Sequence, residues 1–389
     1  MAQRYDRRPF STSQATRIAL KTPIPFGNAA GDAARQITRQ PNTFDFIRLV
    51  AALAVLIAHT NYEFGTDLGW SIFTFIDGVP VFFILSGMLV YASAEKVAAT
   101  TGQWKAFFVN RWLRVGPALY VFAIGVPLLL ATLGIVTWRS LIDIDIIVWF
   151  GSTILMLPNF DPGIWAHVGT GVMNGPLYTI PAEVSFYLVV PLLVVSARRF
   201  GFWRMITVMA ALSIIGSYFS NQGDPLTIAI LHHTFLERAG CFTAGILLAR
   251  FGTRVPLRWW IMSLALGLYL ALKIYGSGIF VYGAFKPVLV SVPLAYMILF
   301  IGLRGPHFLQ HVTRRIGDLS YGVYIWHYFV INCFLWYGLE GWRAATGVVA
   351  LTLLLAVISW FVVERRALKL KVVSLRVDGR SSSAPVTGA

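Results

Sequence analysis

The sequence predicts an all-α protein, a polytopic membrane bundle of about ten transmembrane helices. Three observations carry that prediction. Of 389 residues, 57% are hydrophobic and only 13% are charged, and the mean hydropathy is +0.68. A soluble domain of ordinary composition is about one-quarter charged, so most of this chain is built to meet lipid. The 13 Trp, 15 Tyr and 28 Phe suit aromatic belts at two water interfaces.

A helix needs about 20 residues to cross the hydrocarbon. Apolar runs between charged or Gly/Pro breaks fall at 46–63, 73–92, 115–137, 143–157, 176–197, 203–220, 229–250, 258–276, 286–303, 319–338 and 344–363. The basic segments 35–39, 96–114, 198–204, 250–258, 304–315 and 365–376 separate them. Basic residues are retained on the cytoplasmic side, and all six segments share a side only if one run does not cross. The run 143–157 is the shortest and begins with Asp143 and Asp145, so it is assigned to an outer loop, 138–175. Ten spans remain, with both termini cytoplasmic. Outer loops then carry Glu63, Asp67, Asp224 and Glu340, with Arg343 the exception.

The net charge of +15 is therefore a topology signal rather than a nucleic-acid surface, and no nucleic acid is expected as a partner. Cys241 and Cys333 both lie in apolar segments, which suits packing and gives no disulfide framework. Arg7-Arg8 resembles a twin-arginine signal, but the next dozen residues contain no apolar stretch. Residues 1–42 are expected to be a disordered basic cytoplasmic tail, 43–366 the membrane domain and 367–389 a second cytoplasmic tail. Residues 100–114 have the pattern of an amphipathic helix on the inner surface.

Ionisable side chains inside a membrane are costly and are functional candidates by default. Arg48 and His59 are eleven positions apart, which returns them within about 20° of one helix face and about 16 Å apart along it. Two roles are open to His59, a proton-transfer group or a packing residue bonded to Glu63 one turn on. Ser86 and Gly87 offer a small surface to another helix or to a slender ligand. Arg111 and Arg114 suit either a bidentate phosphate clamp or a lipid-headgroup anchor. Glu183 follows Pro181 at a depth similar to that of His59, so the two are expected to meet. A buried carboxylate there must be paired or protonated. His327 and Glu364 are placed along a pore, with a pair to Arg365 the other role open to Glu364. Glu237 and Arg238 are expected to neutralise each other, and Lys273 and Lys286 to snorkel. His232-His233 have no carboxylate or Cys at ligand spacing, so no metal site is expected.

Taken in order, these blocks resemble the acyltransferase-3 family of membrane acyltransferases, which acylate bacterial surface polysaccharides, lipopolysaccharide and some small molecules. The blocks are Arg48-x10-His59, Phe82-Phe-x-x-Ser86-Gly87, Arg111-x-x-Arg114, Gly175-Pro-Leu-Tyr-Thr-Ile-Pro-Ala-Glu183, Ser320-Tyr-Gly-Val-Tyr-Ile-Trp-His327 and Glu364. They are colinear over about 44–366. Three positions depart from the family pattern: Pro80 for a frequent aspartate, Tyr178 for a frequent tryptophan and Arg366 for a frequent proline. These bear on the subgroup, and hence on the acceptor.

The resemblance implies His59 as catalytic histidine with Arg48 its companion, and Arg111 and Arg114 as the residues that meet acyl-CoA phosphates. Glu183, His327 and Glu364 carry over as pore-lining or supporting residues. The expected activity moves an acyl group, most simply acetyl from acetyl-CoA, to a hydroxyl of an extracytoplasmic glycan or lipid-linked saccharide at the bacterial inner membrane, among membrane lipids. His59 would be the general base with Glu183 orienting it, acylation of His59 being a variant; Ser86 and Gly87 would border the donor. A secondary transporter or flippase with an intramembrane His/Glu proton relay is the alternative from another class. In the outer loop, Asp143, Asp145, Asp161, Trp165 and His167 are candidates to grip sugars.

Overall fold

The computed structural model describes residues 42–67, 73, 75–100, 102–157, 163–275 and 280–370, and among them all regular structure is helical. Helix α1 (Phe44–Phe64) starts where Thr43 is tied to the end of a later helix. Its N–H donates to Gly302 O at 2.9 Å and its hydroxyl to Ile301 O at 2.8 Å. The helix stops at Gly65, which takes a left-handed φ of 58° that a residue without Cβ adopts freely. Helices α2 (Gly78–Thr100) and α3 (Trp104–Thr132) follow, then the short α4 (Ile144–Ile154), α5 (Thr179–Phe200), α6 (Phe202–Gln222), α7 (Pro225–His232), α8 (Ala239–Phe251), α9 (Trp259–Tyr275), α10 (Phe280–Arg304), α11 (His307–Ile316), α12 (Ser320–Trp336) and α13 (Gly341–Ser359). After α13 a π-helical turn, Trp360–Glu364, leads into helix that continues to residue 370.

Among the described residues, seven helical stretches are long and apolar enough to cross a membrane: α1, α2, α3, α5 with the turn before it, α6, α10 and the final helix from Gly341 to Leu370. All ten expected spans contain helix. The run 143–157 becomes the 11-residue α4, about 16 Å long and too short to cross. Residues 1–41 and 371–389, which hold most of the two expected tails, lie outside the described residues.

Two expectations are corrected. Residues 104–114 do not form a separate surface helix, because α3 runs unbroken from Trp104 to Thr132. The arginines that marked an aqueous face turn inward to a cavity instead, so the helix has no reason to break and lie flat. The run 229–250 is not one helix either, since α7 ends at His232 and α8 starts at Ala239. The irregular stretch survives because neighbouring helices satisfy its backbone. Phe235 N–H donates to Ser185 Oγ at 2.9 Å, and Glu237 O accepts from the Ser213 and Ser217 hydroxyls at 3.3 and 3.4 Å. Non-helical backbone at membrane depth needs such protein partners.

The bundle is tightest where α2 crosses α8. A Cβ on Gly87 would lie 2.3 Å from Phe242 O, and one on Gly245 would lie 2.1 Å from Ile84 O. Small residues let helix backbones approach closely where lipid supplies no hydrophobic drive. Helix α12 forms the centre, packed on α1, α3 and α13, and nearly every residue from Ser320 to Cys333 is buried.

The α2–α8 seam gives a stability prediction. Gly87→Ala should lower the thermal midpoint of the detergent-solubilised protein by an amount equivalent to about 1–3 kcal/mol of overpacking. Gly267→Ala, where a Cβ meets nothing within 4 Å, should leave it unchanged or raise it slightly. Equal midpoints for the two variants would refute the seam.

Candidate functional site

Two cavities of similar size lie inside the bundle. The first, about 440 Å³, is walled by Arg48 of α1, Ser86 of α2, Arg111 and Arg114 of α3, Glu183 and Tyr187 of α5, and Asp318 just before α12. The second, about 450 Å³, is walled by His59 of α1, Asp77 and Pro80 at the start of α2, Tyr178, and Tyr324 and Tyr328 of α12. Arg48 and His59 thus share a face of α1, as their spacing requires, and each opens to a different cavity. Val79 and Tyr324 belong to both walls. The Tyr324 hydroxyl is fixed there, donating to Pro176 O at 2.5 Å and lying 2.5 Å from Thr179 Oγ1.

In the arginine cavity the three guanidiniums are not equivalent. Arg114 Nη2 donates to Asp318 Oδ2 at 2.5 Å. Arg48 pairs with Asp45 at 2.9 Å and stands 3.8 Å from Asp318. Arg111 has no ion pair among the described residues; its buried Nε lacks a hydrogen-bond partner and its guanidinium lies 5.6 Å from the Phe107 ring centre. A polar group buried without a partner is costly, and of the three guanidiniums that of Arg111 is the one with no carboxylate paired to it among the described residues.

Asp318 is the anion that holds this corner. Burial pushes its carboxyl up, but Arg114 and Arg48 beside it, with the hydroxyl of Ser320, hold it down at about 2. A folded value below the ordinary one of about 4 contributes stability that is complete above pH 4 and fades as pH falls towards 2.

Several expected placements change. Glu183 does not meet His59. Its Oε1 accepts from Ser86 Oγ at 2.7 Å and from the hydroxyl of Tyr187 one turn on. The similar depth expected from run position does not reveal that the carboxylate faces the arginine cavity. The partner of His59 is His327, with Nδ1 of the first 3.0 Å from Nε2 of the second. His327 is wholly buried behind His59 and walls neither cavity. Glu63 bonds the hydroxyl of Tyr328 at 2.9 Å rather than His59.

Gly87 is a packing residue against Phe242, so of the Ser86–Gly87 pair only Ser86 reaches the cavity. Glu364 is tucked inward by the π-helical turn, where Ser359 Oγ donates to its Oε1 at 3.0 Å, and it walls neither cavity. It forms no ion pair with Arg365 among the described residues, and its Oε2 has no hydrogen-bond partner. Lys273 does not snorkel. Its Nζ reaches Asp77 Oδ1 at 2.7 Å and, with Tyr269, ties the Asp77 segment to α9. Arg238 and Glu237 pair at 2.8 Å as expected, and Arg238 also donates to the Tyr178 hydroxyl at 3.2 Å while lying 5.3 Å from its ring centre.

In the outer loop, Trp165 is fully buried and edge-on to Trp149 at 5.8 Å. It is a core residue and no platform for a sugar. His167 and Asp143 are exposed, whereas Asp161 lies outside the described residues. Sequence reasoning missed Asp318, Tyr187, Tyr324 and Tyr328. Asp318 was within reach, as an acid at the mouth of a predicted span beside the basic segment 304–315.

Helices that carry a buried imidazole pair and an arginine-walled cavity define an integral membrane protein with its polar chemistry inside the bundle. The chain belongs to the acyltransferase-3 family, whose sequence model, an acyltransferase domain, matches residues 42–364. It is 29% identical over 368 residues to nodulation protein 10 of Rhizobium leguminosarum bv. viciae, covering 85% of this chain and 94% of the relative. It is 27% identical over 354 residues to the O-acetyl transferase of Shigella phage Sf6, covering 87% and 99%. No solved structure gives a significant match. The protein is a membrane O-acyltransferase, and this replaces the transporter alternative.

The Asp318 pair yields a pH prediction. Asp318→Asn should lower the thermal midpoint by a constant margin between pH 5 and 8, with the margin closing below about pH 4. A margin that is already shrinking at pH 6 would refute the depressed carboxyl.

Proposed function

We propose that the protein transfers an acyl group, most simply acetyl, from cytoplasmic acyl-CoA to a hydroxyl of a glycan or lipid-linked saccharide outside the bacterial inner membrane. The observation that carries the reading is the adjacency of two unlike cavities. One presents the uncommitted guanidinium of Arg111 and the other the imidazole of His59, and they meet at Val79 and Tyr324. The phage relative is named an O-acetyl transferase, which supports acetyl as the group moved.

Arg111 fits a nucleotide phosphate, because a planar guanidinium binds phosphate oxygens bidentately. Arg114 and Arg48 add positive field while Asp318 holds them in place. The slender pantetheine arm suits passage past Ser86 towards the Val79–Tyr324 wall. The donor end would face the cytoplasm, with tails 1–42 and 367–389 on that side.

His59 takes the proton of the acceptor hydroxyl as its oxygen bonds to the thioester carbonyl carbon. The carbon–sulfur bond breaks, and His59 returns the proton to the departing sulfur, leaving an ester and a free thiol. Tyr178, Tyr328 and Asp77 surround the imidazole with the aromatic faces and hydrogen-bonding groups that suit a saccharide ring.

His59→Ala should abolish acylation in cells while the protein remains inserted and folded. Mass spectrometry of the surface glycan would read this as loss of the acyl mass with hydrogen in its place; a glycan still acylated refutes the base. Arg111→Ala should raise the dissociation constant for acyl-CoA by roughly 10- to 100-fold, the worth of a charge-assisted hydrogen bond. An unchanged constant, read by calorimetry on the solubilised protein, would refute the phosphate site.

A further inference from the structure

His327 touches neither cavity, yet both of its ring nitrogens are engaged. Nδ1 lies 2.8 Å from Tyr324 O and 3.2 Å from Val323 O. Carbonyl oxygens only accept, so Nδ1 must carry the hydrogen, and in a neutral imidazole Nε2 is then a bare acceptor. That acceptor faces His59 Nδ1 at 3.0 Å, so the hydrogen between the rings belongs to His59 Nδ1. His59 Nε2 is left with its lone pair uncommitted. A protonated His327 would place a second donor against His59 and bury a cation with no carboxylate in contact. The ring of Tyr328 stands edge-on to both imidazoles, at 5.5 and 6.0 Å between centroids, and braces the pair from the side.

We infer that His327 is a positioning residue, anchored by the α12 backbone, that fixes His59 in the tautomer whose Nε2 is basic. The inference rests on the proposed reading of His59 as the base. It assigns to a neutral imidazole the part often taken by a carboxylate, namely orienting the base and receiving the Nδ1–H. When His59 takes a proton at Nε2, its Nδ1–H becomes a charge-assisted donor to His327 Nε2 and the bond strengthens. No further charge has to be buried for this. Glu183, bound to Ser86 and Tyr187 in the other cavity, has no part in it.

The tautomer can be read without turnover. In nitrogen-15 spectra of the full-length, histidine-labelled protein in lipid, the resonances lost in His59→Ala belong to His59. They should report hydrogen on Nδ1 and none on Nε2; hydrogen on Nε2 overturns the inference. Kinetics supply a second reading. His327→Gln keeps an acceptor near the Nε2 position and an N–H for the backbone, and should hold kcat within about tenfold of wild type. His327→Leu removes the acceptor and should lower kcat on the order of 10²–10⁴-fold, as loss of a base-orienting partner does, with the donor KM unchanged. A Leu variant as active as wild type, or a Gln variant as dead as the Leu variant at wild-type thermal stability, overturns the positioning role. If His59→Ala still acylates, the base assignment fails by itself, and the tautomer is then judged on the spectra alone.

Discussion

A charge inside a membrane protein must find its counter-charge within the bundle, because lipid offers none, and the ion pair of Asp318 with Arg114 meets that demand at the centre of this structure. The pair joins the start of α12 to α3, and the 3.8 Å approach of Arg48 adds α1. Three helices that carry the polar site are thereby fixed to one point. Arg111 is left over, its buried Nε without a hydrogen-bond partner and its guanidinium without an ion pair among the described residues. Had Asp318 been an amide, Arg114 would lose its ion pair, and Glu183 and the outlying Asp45 would be left to offset three guanidiniums at one cavity.

The same demand explains the rest of the polar interior. Asp77 is answered by Lys273 and Tyr269, Glu237 by Arg238, and Glu183 by two hydroxyls. The imidazole pair is the exception that uses no charge, being satisfied by backbone carbonyls at one end. The three arginines and the neutral imidazole pair thus lie at separate cavities of the same bundle, the imidazole cavity also taking Asp77, held by Lys273, into its wall.

Much of this was legible in the chain because lipid makes hydropathy a nearly direct reading of depth. The spans and the face shared by Arg48 and His59 follow from apolar run length and helical period, and the colinear blocks carry the resemblance to the family. What was not legible is which way a side chain turns once at depth. Counting along the runs puts Glu183 and His59 at similar depth, yet the carboxylate accepts from Ser86 in the arginine cavity, and nothing in its own segment records that. The break at 233–238 was hidden too, since the groups that satisfy it, Ser185, Ser213 and Ser217, lie on α5 and α6. Gly87 was ambiguous between ligand and helix until the close approach of Phe242 decided it.

The Val79 and Tyr324 side chains common to both cavity walls bear on membrane insulation in the proposed reaction. If its substrates arrive from opposite faces of a bilayer as proposed, the catalyst must not become a leak that drains the proton gradient through its own centre. Here the two cavities have Val79 and Tyr324 in common, the phenol held by Pro176 and Thr179. If the acyl arm passes from one cavity to the other as proposed, it must displace or thread these two side chains, and insulation and delivery would then fall to the same pair.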